Sequence, residues 1–223
     1  MTRIKICGLT QLEDVIAAVH SGANALGLVF YEKSPRYVSL PQAIELTEVV
    51  FPFVTIVGLF VNPTAESVRE VLKYVPLDVL QFHGEETPEF CAQFGRPYLK
   101  AIRVRDGLDL VKYATDYVGA QGLLLDTYVE GTHGGTGSAF DWSLIPHDLP
   151  LPVILSGGLN DTNVASAIRQ IRPYAVDVSS SVEISKGIKD AEKISVFIAE
   201  VNKIDLQLSG TMKSMRGHRT TVR

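Results

Sequence analysis

Cysteine is scarce in this 223-residue chain: Cys7 and Cys91 are the only two. Two thiols are too few for a disulfide framework, so a reducing compartment, the cytoplasm, is expected. No apolar run has the length of a spanning helix, and the opening residues lack the apolar stretch of a secretory signal. Charge of neither sign dominates, since 21 Lys and Arg against 25 Asp and Glu give a formal net charge of -4, and that offers no footprint for nucleic acid. Linkers are missing too, because no Pro/Gly/Ser-rich stretch divides the chain. What is present is 46% hydrophobic residues, enough to build one sizeable core.

The charge is unevenly spread. Residues 209–223 hold Lys213, Arg216, Arg219 and Arg223 with no acid, which leaves the rest of the chain at -8. This terminal stretch lacks apolar periodicity. It predicts a domain over residues 1–204 and a basic, disordered tail over 205–223.

The opening stretch, Arg3-Ile4-Lys5-Ile6-Cys7-Gly8-Leu9-Thr10, reads as a short strand that turns at a glycine into a helix. Alternation puts Arg3, Lys5 and Cys7 on one face and Ile4 and Ile6 on the other. Thr10 and Glu13 fit a capping box for that helix. Continuous apolar or alternating strand signals then recur at about 24–30, 54–61, 79–83, 98–104, 122–127, 152–156 and 175–179. Helical patterns lie between most of them, with Thr64 and Thr87-Pro88 as helix starts. Another helix is expected to begin at Asp106 or Gly107, and the last runs from about 190 to 202. Eight units of this kind in about 200 residues predict a single α/β domain, a (β/α)₈ TIM barrel, in preference to a doubly wound open sheet.

A barrel directs attention to the carboxyl ends of its strands, where active sites of this fold lie. Cys7, His83, Asp126 and Asp177 collect there. Gly157-Gly158 after the seventh strand and Ser179-Ser180-Ser181 after the eighth stand where this fold commonly binds phosphate on loop amides. Gly134-Gly135-Thr136-Gly137 lies in the long sixth loop and can close over it. None of these stretches is a P-loop or a dinucleotide fingerprint, so they point to a phosphate group and not to ATP or NAD. One histidine, His83, with Asp126 and Asp177 makes a thin metal set. Lys100 lies within its strand and reads as a buried, paired cation, and Cys91 reads as core.

These residues resemble a known family. Lys5-Ile6-Cys7-Gly8-Leu9-Thr10, Ser34-Pro35-Arg36-Tyr37-Val38, Gln81-Phe82-His83-Gly84-Glu85, Leu125-Asp126, Gly134-Gly135-Thr136-Gly137, Leu155-Ser156-Gly157-Gly158-Leu159 and Val176-Asp177-Val178-Ser179-Ser180 are similar to phosphoribosylanthranilate isomerase. The resemblance implies a cofactor-free, metal-free Amadori rearrangement in tryptophan biosynthesis, acting on a small phosphosugar. It implies Cys7 as general base and Asp126 as general acid, with Arg36 on the anthranilate carboxylate. His83 and Asp177 then line the substrate, and Gly135, Gly157, Gly158, Ser180 and Ser181 bind its phosphate. A monomer is expected, with a homodimer as the alternative, and neither nucleic acid nor membrane is a partner. Ser181 departs from the family's usual glycine, so a positive φ angle there would cost about 1–2 kcal/mol of strain. The related isomerase of histidine biosynthesis carries an aspartate where this chain has Cys7. A barrel that binds a sugar phosphate without turning it over would have no need of both an acid and a base.

Overall fold

A computed structural model of the chain describes residues 1–127 and 141–217. The chain opens with β1 (Arg3–Cys7), α1 (Leu12–Ser21), β2 (Ala25–Val29), α2 (Leu40–Glu48), β3 (Thr55–Phe60) and α3 (Ala65–Tyr74). It continues through β4 (Val79–Phe82), α4 (Pro88–Ala92), β5 (Tyr98–Val104), α5 (Leu110–Asp116) and β6 (Gly122–Thr127). After a 3-10 turn at Trp142–Leu144 come β7 (Val153–Leu155), α6 (Val164–Ile171) and β8 (Ala175–Val178). A small hairpin, β9 (Glu183–Ser185) and β10 (Ile188–Lys189), precedes the last helix, α7 (Ala191–Gly217).

Strands β1 to β8 pair in sequence order and the sheet closes, β8 returning in parallel to β1. The fold is therefore the (β/α)₈ barrel that the strand and helix alternation predicts. The antiparallel β9–β10 hairpin was not expected; its strands of three and two residues are too short to show a period.

Alternation decides what each strand buries. Ile4 and Ile6 join Leu9, Val15 and Ala18 in the main core between barrel and helices. Lys5 and Cys7 face the barrel interior. There, Ala101, Leu124, Ile154 and Ala175 form one small apolar cluster, and Cys7, Val29, Leu59 and Val61 form another. The strands that bury both faces are almost wholly apolar, as a parallel sheet covered by helices requires.

Helix starts follow local chemistry where nothing competes. Thr64 and Thr87 accept hydrogen bonds from the amides of Ser67 and Phe90, as expected, and Asp109 does the same for Lys112 at the start of α5. Asp109, not Asp106 or Gly107, is thus the start signal for that helix. Thr10 does not cap α1. Its hydroxyl donates to the Gly187 carbonyl in the β9–β10 turn, and Gln11 takes the cap position without a side-chain bond. A tertiary partner has outcompeted the local one.

The final helix is also longer than the sequence suggests. α7 runs to Gly217, past the end expected at 202 and into the segment read as a tail from 205. The reason is that Val201, Ile204 and Leu208 continue the helical spacing onto the core; Ile204 is buried and Leu208 packs beside it. Residues 218–223 lie outside the described residues.

One glycine fixes how closely β1 and β2 approach at the functional end. Gly27 is the register partner of Cys7, and a Cβ there would come within 2.6 Å of the Cys7 sulfur and 3.0 Å of its Cα. Backbone cannot swing aside as a side-chain tip can. Gly27→Ala is expected to cost about 1–3 kcal/mol of stability through overpacking. The check is the urea midpoint at unchanged slope; a midpoint equal to that of the unsubstituted protein would show that the thiol has room to move.

Candidate active site

Cys7 ends β1 and is only 6% exposed, with aliphatic Val29, Leu59 and Val61 against it. Two residues back on the same face, Lys5 places its Nζ 2.8 Å from Asp177 Oδ1 on β8, and both side chains are buried. Ser156, just past β7, donates its hydroxyl to the other Asp177 oxygen at 3.3 Å. Burial pushes the Cys7 thiol above its ordinary value, and Asp177 adds to this. The Lys5 and Lys189 cations pull the other way without winning. The resting thiol is therefore protonated, with Lys5 placed to steady the thiolate when the proton leaves. Burial disfavours the Lys5 charge as well, but Asp177 and Cys7 overcome this and raise its pKa above that of a free lysine.

Asp126, inside the end of β6, is 4% exposed. His83 brings Nε2 to 3.2 Å from Asp126 Oδ2, although the angle falls outside that of a hydrogen bond. The His83 Nδ1 lies 3.2 Å from the Gln81 amide nitrogen. If that amide donates, Nδ1 is an acceptor and the imidazole proton sits on Nε2, facing the carboxylate. Cys7 with Asp177 and His83 with Asp126 thus form two groups at the carboxyl ends of the strands, where the sequence expects all four.

Arg36 has a partner that the sequence did not suggest. Its Nε and Nη2 donate to the two carboxylate oxygens of Glu183 at 2.6 and 2.8 Å, a bidentate pair. The same Glu183 Oε1 accepts from Lys189 Nζ at 2.8 Å, and Lys189 also donates to the Ser179 carbonyl at 3.1 Å. Ser179 Oγ in turn donates to the Cys7 carbonyl at 2.9 Å. Glu183 and Lys189 are the residues that sequence reasoning missed. Glu183 lies 147 positions from Arg36, and no spacing announces the pair. The available signal was chemical: an isolated acid and a lysine flanking a glycine-containing loop at the last strand end.

The loops after β7 and β8 are shaped by backbone. Gly157 and Gly158 take φ angles of 80° and 66°, which a side chain would resist. Ser180 and Ser181 begin a 3-10 turn, Ser180–Val182. Ser181 is not among the positive-φ residues, so the strain that a glycine replacement threatened does not arise. Its hydroxyl instead donates to the Leu159 carbonyl and ties the seventh loop to the eighth. Gly135 and its neighbours 134–137 lie outside the described residues.

Lys100 and Cys91 match their bland readings: Lys100 is buried 2.8 Å from Glu86, and Cys91 is wholly buried. Among the described residues no group of three His, Cys, Asp or Glu side chains is disposed to hold a metal ion, and no helix is long and apolar enough to cross a membrane.

Residues 4–200 match the family model described as N-(5'-phosphoribosyl)anthranilate (PRA) isomerase. The chain is 60% identical over 199 residues to the N-(5'-phosphoribosyl)anthranilate isomerase of Nitrosospira multiformis, covering 89% of this chain and 96% of that one. A solved phosphoribosyl anthranilate isomerase in complex with reduced 1-(o-carboxyphenylamino)-1-deoxyribulose 5-phosphate superposes with a TM-score of 0.80 at 42% identity, over 91% of this chain and all of the other. A dimeric isomerase from Thermotoga maritima, solved as monomers, gives 0.80 at 41% identity with coverage of 91% and 100%. Sequence and fold agree along nine-tenths of the chain, and on that agreement it belongs to the phosphoribosylanthranilate isomerase family.

Proposed function

We propose that the protein converts N-(5'-phosphoribosyl)anthranilate to 1-(2-carboxyphenylamino)-1-deoxyribulose 5-phosphate, a step of tryptophan biosynthesis, with Cys7 as base and Asp126 as acid. The observation that supports these roles is that Cys7 and Asp126 are buried at strand ends of the mouth, where the other buried carboxylates, Asp177 and Glu183, are held in ion pairs by Lys5, Arg36 and Lys189. Asp126 protonates the furanose oxygen, the ring opens, and the anilino nitrogen is left as a protonated imine. Cys7, once its thiol has released its proton to solvent, removes the proton from sugar C2 as the thiolate to give the enolamine, which tautomerises to the ketose. His83 stands 3.2 Å from the Asp126 carboxyl group and lines the substrate beside it. Arg36 receives the anthranilate carboxylate, Asp177 borders the sugar while holding Lys5, and amides of Gly157, Gly158, Ser180 and Ser181 take the phosphate. Gly135 completes that cradle in this reading. No cofactor enters any step.

Low dielectric around Cys7 strengthens the Lys5 field that the thiolate meets. Two free thiols, Cys7 and Cys91, suit the cytoplasm. For the oligomeric state, Phe51 and Phe53 favour the homodimer over the monomer, since both rings stand exposed in the loop between α2 and β3.

Purified protein should turn over phosphoribosylanthranilate, followed by loss of its fluorescence, and Cys7→Ser and Asp126→Asn should each lose about 10²- to 10⁴-fold in kcat while still binding the product analogue. Near-normal rates in either variant would remove that residue from its role. Sedimentation equilibrium should give a dimer mass that falls to the monomer's in Phe51→Ser/Phe53→Ser; a monomer at micromolar concentration would contradict the dimer reading.

A further inference from the structure

The guanidinium assigned to the substrate's carboxylate is already bound to a carboxylate. Glu183 occupies the Nε–Nη2 edge of Arg36, and the two side chains are 5% and 12% exposed. An Arg–Glu pair alone is neutral and would offer an incoming anion only a dipole. The missing charge comes from Lys189, whose side chain is fully buried and whose Nζ lies 2.8 Å from Glu183 Oε1.

Among the neighbouring charges, Asp14 accepts the Lys189 backbone N–H at 2.8 Å, Lys193 donates to the Glu183 carbonyl at 2.9 Å, and Asp190 turns its carboxylate to the α7 amides of Glu192 and Lys193. Lys5 is matched by Asp177. Arg36, Glu183 and Lys189 themselves carry one net positive charge, and among the described residues it meets the mouth at the outer end of the Arg36 fork, since Lys189 is enclosed. Burial lowers the Lys189 pKa against the pull of Glu183, a cost that the site bears to keep an ammonium there.

We propose that Lys189 is a specificity-determining residue: by neutralising Glu183 it returns a whole positive charge to Arg36 and so selects substrates whose amine part bears a carboxylate. Glu183 is the positioning residue of the set, holding the fork in one plane. The assignment rests on the isomerase reading, because that reading supplies the carboxylated aryl group. Lys189 itself touches no substrate atom. Its effect is on selectivity between ligands, which a merely structural lysine would not alter.

The test uses calorimetric binding of two ligands, reduced 1-(o-carboxyphenylamino)-1-deoxyribulose 5-phosphate and the phenylamino analogue without the carboxyl group. The unsubstituted protein should prefer the first. Lys189→Met and Lys189→Gln, which leave the set neutral, should each cut that preference by about tenfold or more. Glu183→Gln/Lys189→Met restores a net positive charge and should recover much of the preference. Structural damage predicts the opposite, a double variant worse than either single one. Should the methionine variant fail to fold, the glutamine and double variants decide the matter. Full preference retained in the neutral variants, or a double variant below them, overturns the proposal. Failure of the unsubstituted protein to bind either ligand would instead count against the isomerase reading.

Discussion

The barrel closes where β1 meets β8, and at that seam Lys5 and Asp177 are register partners joined by an ion pair inside the cylinder. Two charges taken out of water stabilise little in net terms, but removing either partner would strand the other at a cost of about 3–5 kcal/mol. The pair therefore fixes the seam more by what its loss would cost than by what it adds. It also fixes the electrostatic setting of Cys7, two residues along the same face. A lysine already half-neutralised by an aspartate can steady a thiolate without forcing the thiol to ionise beforehand.

Most of the barrel was legible because strand and helix periods are local quantities. Alternation over residues 3–7 placed Cys7 inside and Ile4 and Ile6 outside, and the same reasoning put Asp126 and Asp177 in the mouth. Thr64 and Thr87 cap their helices through bonds to amides three residues further on, which the local sequence supplies. Thr10 was misread because the hairpin beyond β8 offers its hydroxyl a carbonyl that no local pattern contains. The end of α7 was misread for a related reason. Composition turned basic there, but Ile204 and Leu208 still had core to pack against, and packing outweighed charge.

The site divides along the same line. Residues at strand ends are found by counting along strands, and Cys7, His83, Asp126 and Asp177 were found so. Glu183 and Lys189 act through contacts made across the mouth by a hairpin of five strand residues, and such contacts leave no mark on sequence periodicity. Arg36 was identified correctly as a cation of the second loop, yet its nearest carboxylate in the folded chain belongs to the protein. Ser181 shows the reverse case. Read alone it threatened strain, but in place its backbone avoids the left-handed region and its hydroxyl binds the neighbouring loop.

The β9–β10 hairpin is small, but it is where two loops of the mouth are fastened. Thr10 of the first loop bonds the Gly187 carbonyl, the Pro35 carbonyl lies 3.0 Å from where a Gly187 side chain would begin, and Arg36 of the second loop meets Glu183. Asp126 and His83 stand on the other side of the barrel and take no part in this fastening. On the roles proposed above, the acid and the carboxylate-binding arginine stand on different stretches of chain, so a change in the hairpin would reach Arg36 through Glu183 without a direct contact to Asp126.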